Sequence, residues 1–241
     1  RICIRSTTNR SLQKEKIKVM NKINYVHFVN EKPLSLFAPS WNYFIAEKLI
    51  SNINSNRLKN YLLSRQQEVL SIEDNLDDGG TGLGNDTTTV RYRSYNIFSW
   101  DQPDINILKQ EIFSMCSNYH MKLGVKKPPQ LGLKGWMNIM KKGDRIEIHN
   151  HGFKSDSYLS GNFIVSCNNT KTVYNNPFQQ YVKENKLLRM VEEDEDDPTY
   201  YASKNTEGKL TLFPNYIPHF TTEHRSYSYR ITLAFELKLI K

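Results

Sequence analysis

A length of 241 residues with 38% hydrophobic and 12% aromatic residues can bury one sizeable core, but the apolar runs are too short and too charged for a membrane-spanning helix. The net charge of +8 is concentrated in residues 1–19, which carry +5, and the rest shows no basic stripe with stacking aromatic residues, so nucleic acid is not indicated as a partner. Three cysteines without a CxxC pair fit reduced thiols, so we expect a cytoplasmic protein without membrane contact.

The first 19 residues lack a hydrophobic pattern, and Met20 begins a more ordinary sequence. We therefore expect residues 1–19 to be a disordered or non-native extension, with Met20 as the native start. Residues 20–241 are expected to form a single domain, in which a helical and irregular support region (20–130) precedes a β-rich core (131–241). An oligomer is compatible with this organisation.

The support region is predicted to be extended over Tyr25–Phe37 and then helical, from the spacing of its apolar residues. The predicted helices are Trp41–Ile53 with Ser40 as N-cap, Leu58–Ser71, and Asp104–Lys122 with Asp104 as the capping residue. Residues 72–88 (IEDNLDDGGTGLGNDTT) are polar and glycine-rich, without the flanking strand and helix of a phosphate-binding loop. We expect them to form a flexible surface loop.

Beyond Pro128 and Pro129 the sequence changes to short β-type runs separated by turn residues. Strands are predicted at 133–140, 145–151, 160–167, 171–175, 209–213, 217–223 and 228–239. Seven short strands after a helical half predict an α+β, mainly β protein, with a sandwich or jelly roll backed by helices. The connection over 177–208 is either a lid over a cavity or a solvated acidic loop.

Three of the six histidines have the spacing of a metal site. His149 and His151 are two residues apart on a predicted strand, so their side chains leave the same face and can converge on one ion. His219 lies on a later predicted strand, and imidazole is a good ligand for divalent iron. Arg230 follows on the last predicted strand, and Thr232 shares its strand face.

These residues lie in the segments GWMNIMKKGDRIEIHNHGFKSDSYLSGNFIV, GKLTLFPNYIPH and SYRITLAF. Together the segments resemble a family of 2-oxoglutarate/Fe(II)-dependent oxygenases of the bacterial and phage type, within the prolyl-hydroxylase-like superfamily. The resemblance implies a double-stranded β-helix (jelly-roll) core with N-terminal helices packed against it. It also implies a metal ion held by His149, His151 and His219. Arg230 would pair with the far carboxylate of 2-oxoglutarate, with Thr232 beside it.

The activity implied by the resemblance is that of an oxidoreductase, a dioxygenase or hydroxylase that uses Fe(II), 2-oxoglutarate and O2. Such an enzyme couples oxidative decarboxylation of 2-oxoglutarate to succinate with oxidation of a second substrate. Here that substrate would be an unidentified organic molecule or protein, and the enzyme would be intracellular and bacterial or phage-encoded.

The second ligand position departs from the pattern of the wider superfamily, which has an acidic residue two places after the first histidine. Because His151 stands there, the site either has three histidines or takes a carboxylate from Glu147 or Asp156. Asn138 and Tyr174 fall on predicted strands that are expected to line the cavity. They would be co-substrate or substrate contacts, or polar residues of the wall.

Two alternatives stand beside the oxygenase. One is a non-catalytic jelly-roll protein that binds a metal or another ligand. The other is a cupin-like metalloenzyme with three histidines that does not use 2-oxoglutarate. Arg230 separates this second alternative from the oxygenase, because only a 2-oxoglutarate enzyme needs a cation buried near the metal.

Overall fold

The structure is a computed structural model that describes residues 22–29, 35–37, 41–73, 77–152, 156–178, 184–193 and 199–240. The predicted extension over 1–19, the predicted start at Met20 and the predicted N-cap Ser40 lie outside these residues. Within the described ranges, no helix has the length and apolar character needed to cross a membrane.

Among the residues that the structure describes, the strands form two antiparallel sheets. The strands are β1 Asn24–Val29, β2 Asn42–Leu49, β3 Leu131–Met140, β4 Ser157–Ser166, β5 Lys171–Asn175, β6 Tyr200–Lys204, β7 Lys209–Pro214, β8 His219–Thr221 and β9 Arg230–Leu239. The larger sheet has the order β1-β2-β7-β4-β9-β3, and the smaller sheet has the order β6-β5-β8. This architecture confirms the prediction of an α+β, mainly β protein.

Three α-helices accompany the sheets in the described part of the chain: α1 Ser55–Leu70, α2 Pro103–Lys122 and α3 Glu184–Glu192, with short 3₁₀ helices at Thr89–Arg91 and Ile97–Ser99. The helices predicted at 58–71 and 104–122 are confirmed. The predicted cap of α2 is wrong, because Gln102 is the N-cap and its side chain accepts a hydrogen bond from the Ile105 N–H. Asp104 lies in the first turn instead, where its carboxylate accepts from the Asn54 N–H and from the Arg57 guanidinium.

The helix predicted at Trp41–Ile53 is wrong, because most of this segment forms strand β2, which lies between β1 and β7 in the larger sheet. Its side chains alternate between two cores: Phe44 and Ala46 pack toward the helices, and Tyr43 and Ile45 pack toward the smaller sheet. A strand buried on both faces reads as a continuous apolar run, and periodicity alone does not distinguish such a run from a buried helix. Pairing with β1 and β7 decides for the strand.

The connection between β5 and β7 contains two elements that were not predicted, namely α3 and β6. Leu187 and Val191 of α3 are buried in one cluster with Val173 of β5 and Phe220 of β8. The helix therefore packs against the smaller sheet. None of the described residues between 177 and 208 lines the cavity described below, so the described part of this connection does not support a lid.

The two faces of the larger sheet have different compositions. The outer face packs on α1 and α2 through apolar residues such as Leu233 and Phe235. At Gly161 in β4 the packing leaves no room for a side chain, since a Cβ atom would lie 2.3 Å from the carbonyl oxygen of Thr211 and 2.3 Å from the Phe235 ring. The inner face carries the polar residues of β3, β4 and β9, and it faces the cavity: Asn138, Asn162, Arg230, Thr232 and Glu236.

Candidate functional site

Three imidazole rings converge at one end of the cavity between the sheets. One ligand atom each from His149, His151 and His219 lies within 4.8 Å of the others. The ring centroids of His149 and His219 are 4.4 Å apart, and those of His151 and His219 are 5.2 Å apart. Within the described ranges this is the only such group of histidine, cysteine and acidic residues, so the predicted triad is brought together.

The backbone places the rings by pairing two chain segments. The predicted strand over 145–151 is wrong as a regular strand, because it makes only an isolated bridge between His149 and His219. The His149 N–H donates to the His219 carbonyl at 3.1 Å, and the His219 N–H donates back at 2.9 Å. Two more bonds, from His151 to Asn215 and from Thr221 to Ile146, align the extended segment beside β8. The two histidine-bearing segments are therefore held side by side.

Each ring has one nitrogen committed to a hydrogen bond. Nδ1 of His149 lies 2.9 Å from the Glu147 carbonyl oxygen, and Nδ1 of His219 lies 2.9 Å from the Ile217 carbonyl oxygen. A carbonyl oxygen only accepts, so Nδ1 donates and Nε2 keeps its lone pair. Nδ1 of His151 donates in the same way to Glu236 Oε1 at 2.8 Å. In all three rings the hydrogen bond occupies Nδ1 and leaves Nε2 as the nitrogen that can bind a metal ion.

Glu236 is a site residue that the sequence analysis missed. It lies on β9, its side chain is 9% exposed, and its second oxygen accepts from Lys238 Nζ at 2.9 Å. Burial by itself raises the pKa of this carboxyl, but the hydrogen bonds and charges of His151 and Lys238 outweigh it and lower the pKa to about 2. Strand alternation could have identified Glu236, since Arg230, Thr232 and Glu236 share one face.

The electrostatic environment favours neutral imidazoles. Burial, followed by the neighbouring His151, lowers the pKa of His149 to about 4. The pKa of His219 also lies well below its ordinary value, because the ring is buried and has the other two histidines beside it. Both rings therefore remain neutral over the physiological pH range and are available as ligands.

Arg230 is fully buried in the same cavity and has no acidic partner among the described residues. Its Nη1 points at the Met140 sulfur at 3.0 Å, and its Nε donates to Thr170 Oγ1 at 3.3 Å. Burial lowers the pKa of Arg230 to about 10. A buried guanidinium is costly unless an anion pairs with it, so this cavity is complementary to an anionic ligand.

The cavity has a volume of about 270 Å³. Thr232 and Asn138 line it as predicted, and Asn138 accepts a hydrogen bond from Thr89 Oγ1 at 2.8 Å. Tyr174, in contrast, is buried behind the wall, where its hydroxyl accepts from Asn162 Nδ2 at 3.2 Å. Tyr174 therefore does not line the cavity, although its ring stacks at 6.0 Å from that of His219.

The two carboxylates considered as substitute ligands are not members of the histidine group. The Glu147 side chain is exposed and lies 3.9 Å from Arg145, and only its backbone carbonyl supports His149. Asp156 begins the turn before β4 and contributes no ligand atom. The group of candidate ligands therefore consists of three histidines.

The loop predicted at 72–88 lies at the surface only in part. Asp78, Gly79 and Thr81 line the cavity, and the Thr81 carbonyl accepts a hydrogen bond from the Glu147 N–H at 2.8 Å. Asp78 folds this turn, because its carboxylate accepts from the Gly80 and Gly82 N–H groups. The glycine-rich segment thus forms one wall beside His149.

Comparison with known proteins agrees with this geometry. The family described as "Putative 2OG-Fe(II) oxygenase" matches residues 134–236. The resemblance to that family is confirmed. This matched segment contains all three histidines, Arg230 and Glu236. No curated protein matches the chain.

The fold is also found among solved structures. A prolyl-4-hydroxylase from Pseudomonas putida superposes with a TM-score of 0.53 at 8% identity, over 82% of this chain and 93% of that one. The viral collagen prolyl hydroxylase of Paramecium Bursaria Chlorella virus-1, solved with 2OG, gives a TM-score of 0.49 at 10% identity, over 81% of this chain and 96% of that one. The first similarity confirms the double-stranded β-helix fold.

Proposed function

We propose that this protein is an Fe(II)- and 2-oxoglutarate-dependent oxygenase that couples oxidative decarboxylation of 2-oxoglutarate to succinate with oxidation of an organic or protein substrate. The observation that carries the proposal is the pairing of two features in one cavity. Three imidazoles converge with Nδ1 bonded and Nε2 left for a metal ion, and a buried guanidinium lacks an acidic partner within the described chain. Together they match a metal ion and a carboxylate-bearing co-substrate.

His149, His151 and His219 would hold the metal ion. Three protein ligands leave positions open, which is the arrangement of a catalytic rather than a closed structural site. When bound, Fe(II) would supply the activation of O2 and the oxidation of the substrate. The three histidines would hold the ion in place through rings whose Nδ1 atoms are already bonded.

Arg230 would bind the far carboxylate of 2-oxoglutarate. A guanidinium binds a carboxylate through two parallel hydrogen bonds and keeps its charge at every relevant pH. Thr232 shares the strand face of Arg230, and Asn138 pairs with Thr232 across β3 and β9. These two polar side chains line the same cavity and can contact the co-substrate.

Aromatic side chains form the apolar part of the cavity wall. Trp136, Tyr92 and Phe213 line the cavity, and the Trp136 ring centroid is 5.8 Å from that of His151. Such walls exclude water and strengthen the electrostatic interactions inside. They also contribute apolar contact area to the second substrate.

Anaerobic titration tests the proposal. Addition of 2-oxoglutarate to the Fe(II)-loaded protein should give the weak visible charge-transfer band of the chelate. Succinate, which lacks the 2-oxo group, serves as the control and should give no band. A folded, iron-loaded protein that shows no band would contradict the proposal. It would favour the cupin-like enzyme, which shares the three histidines but has no use for a buried Arg230.

A further inference from the structure

Glu236 is bonded to only one of the three histidines, and that histidine stands at an unusual position. His149 and His219 donate Nδ1 to neutral backbone carbonyls, whereas His151 donates to the Glu236 carboxylate. His151 is also the residue that occupies the position of the acidic ligand in the wider prolyl-hydroxylase-like superfamily. The charge missing from the ligand set is therefore found directly behind the residue that replaced it.

The carboxylate is held firmly enough to orient a ring. Glu236 lies on β9, between β3 and β4 in the larger sheet, where it is paired with Lys134 and Ser160. The side chains of His151 and Glu236 are both 9% exposed, and their bond is 2.8 Å long. The second oxygen of Glu236 is bonded to Lys238 Nζ at 2.9 Å, which fixes the rotation of the carboxylate.

We propose that Glu236 is a positioning residue that fixes the tautomer and orientation of His151 and supplies, through that ring, the negative charge that a three-histidine site lacks. A carboxylate behind a ligating imidazole aims its other nitrogen at the ion and raises its basicity as a ligand. This inference rests on the proposed function, because it requires a metal ion at the three histidines.

Metal affinity measures the effect directly. Co(II), a redox-stable stand-in for Fe(II), is titrated into the protein and into the Glu236→Leu and Glu236→Gln variants. The leucine variant removes both the acceptor and the charge and should bind Co(II) about 10- to 100-fold more weakly. The glutamine variant keeps an oxygen that accepts from Nδ1 but loses the charge. It should also bind more weakly than the wild type, and no more weakly than the leucine variant.

Glu147→Gln is the matched control, because it removes an acidic side chain close to His149 that bonds to none of the three rings. Its Co(II) affinity should equal that of the wild type. Glu236 variants that bind Co(II) as tightly as this control would overturn the inference and leave the metal site intact. A wild-type protein that binds no Co(II) would instead overturn the proposed function, and this inference with it.

Nitrogen-15 NMR of the metal-free wild-type protein provides a test that does not depend on the folding of any variant. The His151 ring should carry its proton on Nδ1, as the bond to Glu236 requires. A His151 ring that carries its proton on Nε2 and none on Nδ1 in the folded protein would overturn the inference.

Discussion

Replacing Arg230 by methionine should strongly weaken binding of 2-oxoglutarate and leave the metal-free protein at least as stable as before. The guanidinium is 2% exposed, and burial lowers its pKa to about 10. One pKa unit corresponds to about 1.4 kcal/mol, so the unpaired buried charge costs about 3 kcal/mol. Methionine removes that cost and is flexible enough to fill the space beside Met140. Thr170 keeps a partner, since Asn205 also donates to it.

The loss of binding should be large. Removing one member of a buried charge pair costs about 2–5 kcal/mol, which raises the Kd for 2-oxoglutarate at least about 30-fold. Isothermal titration of the Co(II)-loaded protein without oxygen gives the Kd, and thermal unfolding of the metal-free protein gives the stability. The two measurements should change in opposite directions, which is the expected behaviour of a residue kept for its ligand rather than for the fold.

Arg225→Met is the matched control. Arg225 is exposed and pairs with Glu192 at 2.8 Å on the surface, so its loss should change neither measurement by more than about 1 kcal/mol. The reasoning is refuted if Arg230→Met binds 2-oxoglutarate with the wild-type Kd. It is also refuted if that variant unfolds several degrees earlier than the wild type, since Arg230 would then be a structural group.

Three further substitutions test other parts of the structure. His219→Ala should weaken Co(II) binding more than about 100-fold, because losing a ligand should cost more affinity than losing a residue that only supports a ligand. Unchanged Co(II) affinity in an equilibrium titration would exclude His219 as a ligand. Asp104→Asn should lower the free energy of unfolding in urea by about 1–3 kcal/mol at pH 7, because the buried carboxylate loses its charged hydrogen bonds with the half-exposed Arg57 guanidinium, while the exposed Asp101→Asn should not. Burial by itself raises the pKa of the Asp104 carboxyl, but hydrogen bonds from Arg57, Asn54 and Gln102 outweigh it and lower the pKa in the folded state. The contribution of Asp104 to stability is therefore present at neutral pH and should shrink as the pH falls below about 4. Gly161→Ala should cost about 1–3 kcal/mol or more, because its Cβ would meet backbone and ring atoms at 2.3 Å, whereas Gly132→Ala meets only a side chain at 3.7 Å; equal melting temperatures for the two variants would contradict the packing argument.

The strands and helices with strong local patterns could be predicted from the sequence. The apolar spacing of α2 and the turn residues between the β-type runs are local features, so β3, β4, β5, β7 and β9 could be located to within a few residues. The helix predicted for β2 shows where this fails. Burial on both faces removes the alternation of apolar and polar residues that marks a strand. Only the pairing of β2 with β1 and with the distant strand β7 identifies the segment as a strand.

The sequence by itself determined the identity of the candidate ligands, because two histidines separated by one residue, a distant histidine and an arginine are a pattern along the chain. Only the tertiary structure decided that His151 donates to Glu236, that Arg230 has no acidic partner within the described chain, and that Tyr174 lies behind the wall. Each of these features depends on how segments of the chain pack together, and the His151–Glu236 bond joins residues that are 85 positions apart. The spacing of residues along the chain does not specify how the two sheets and the loops between them will pack against each other.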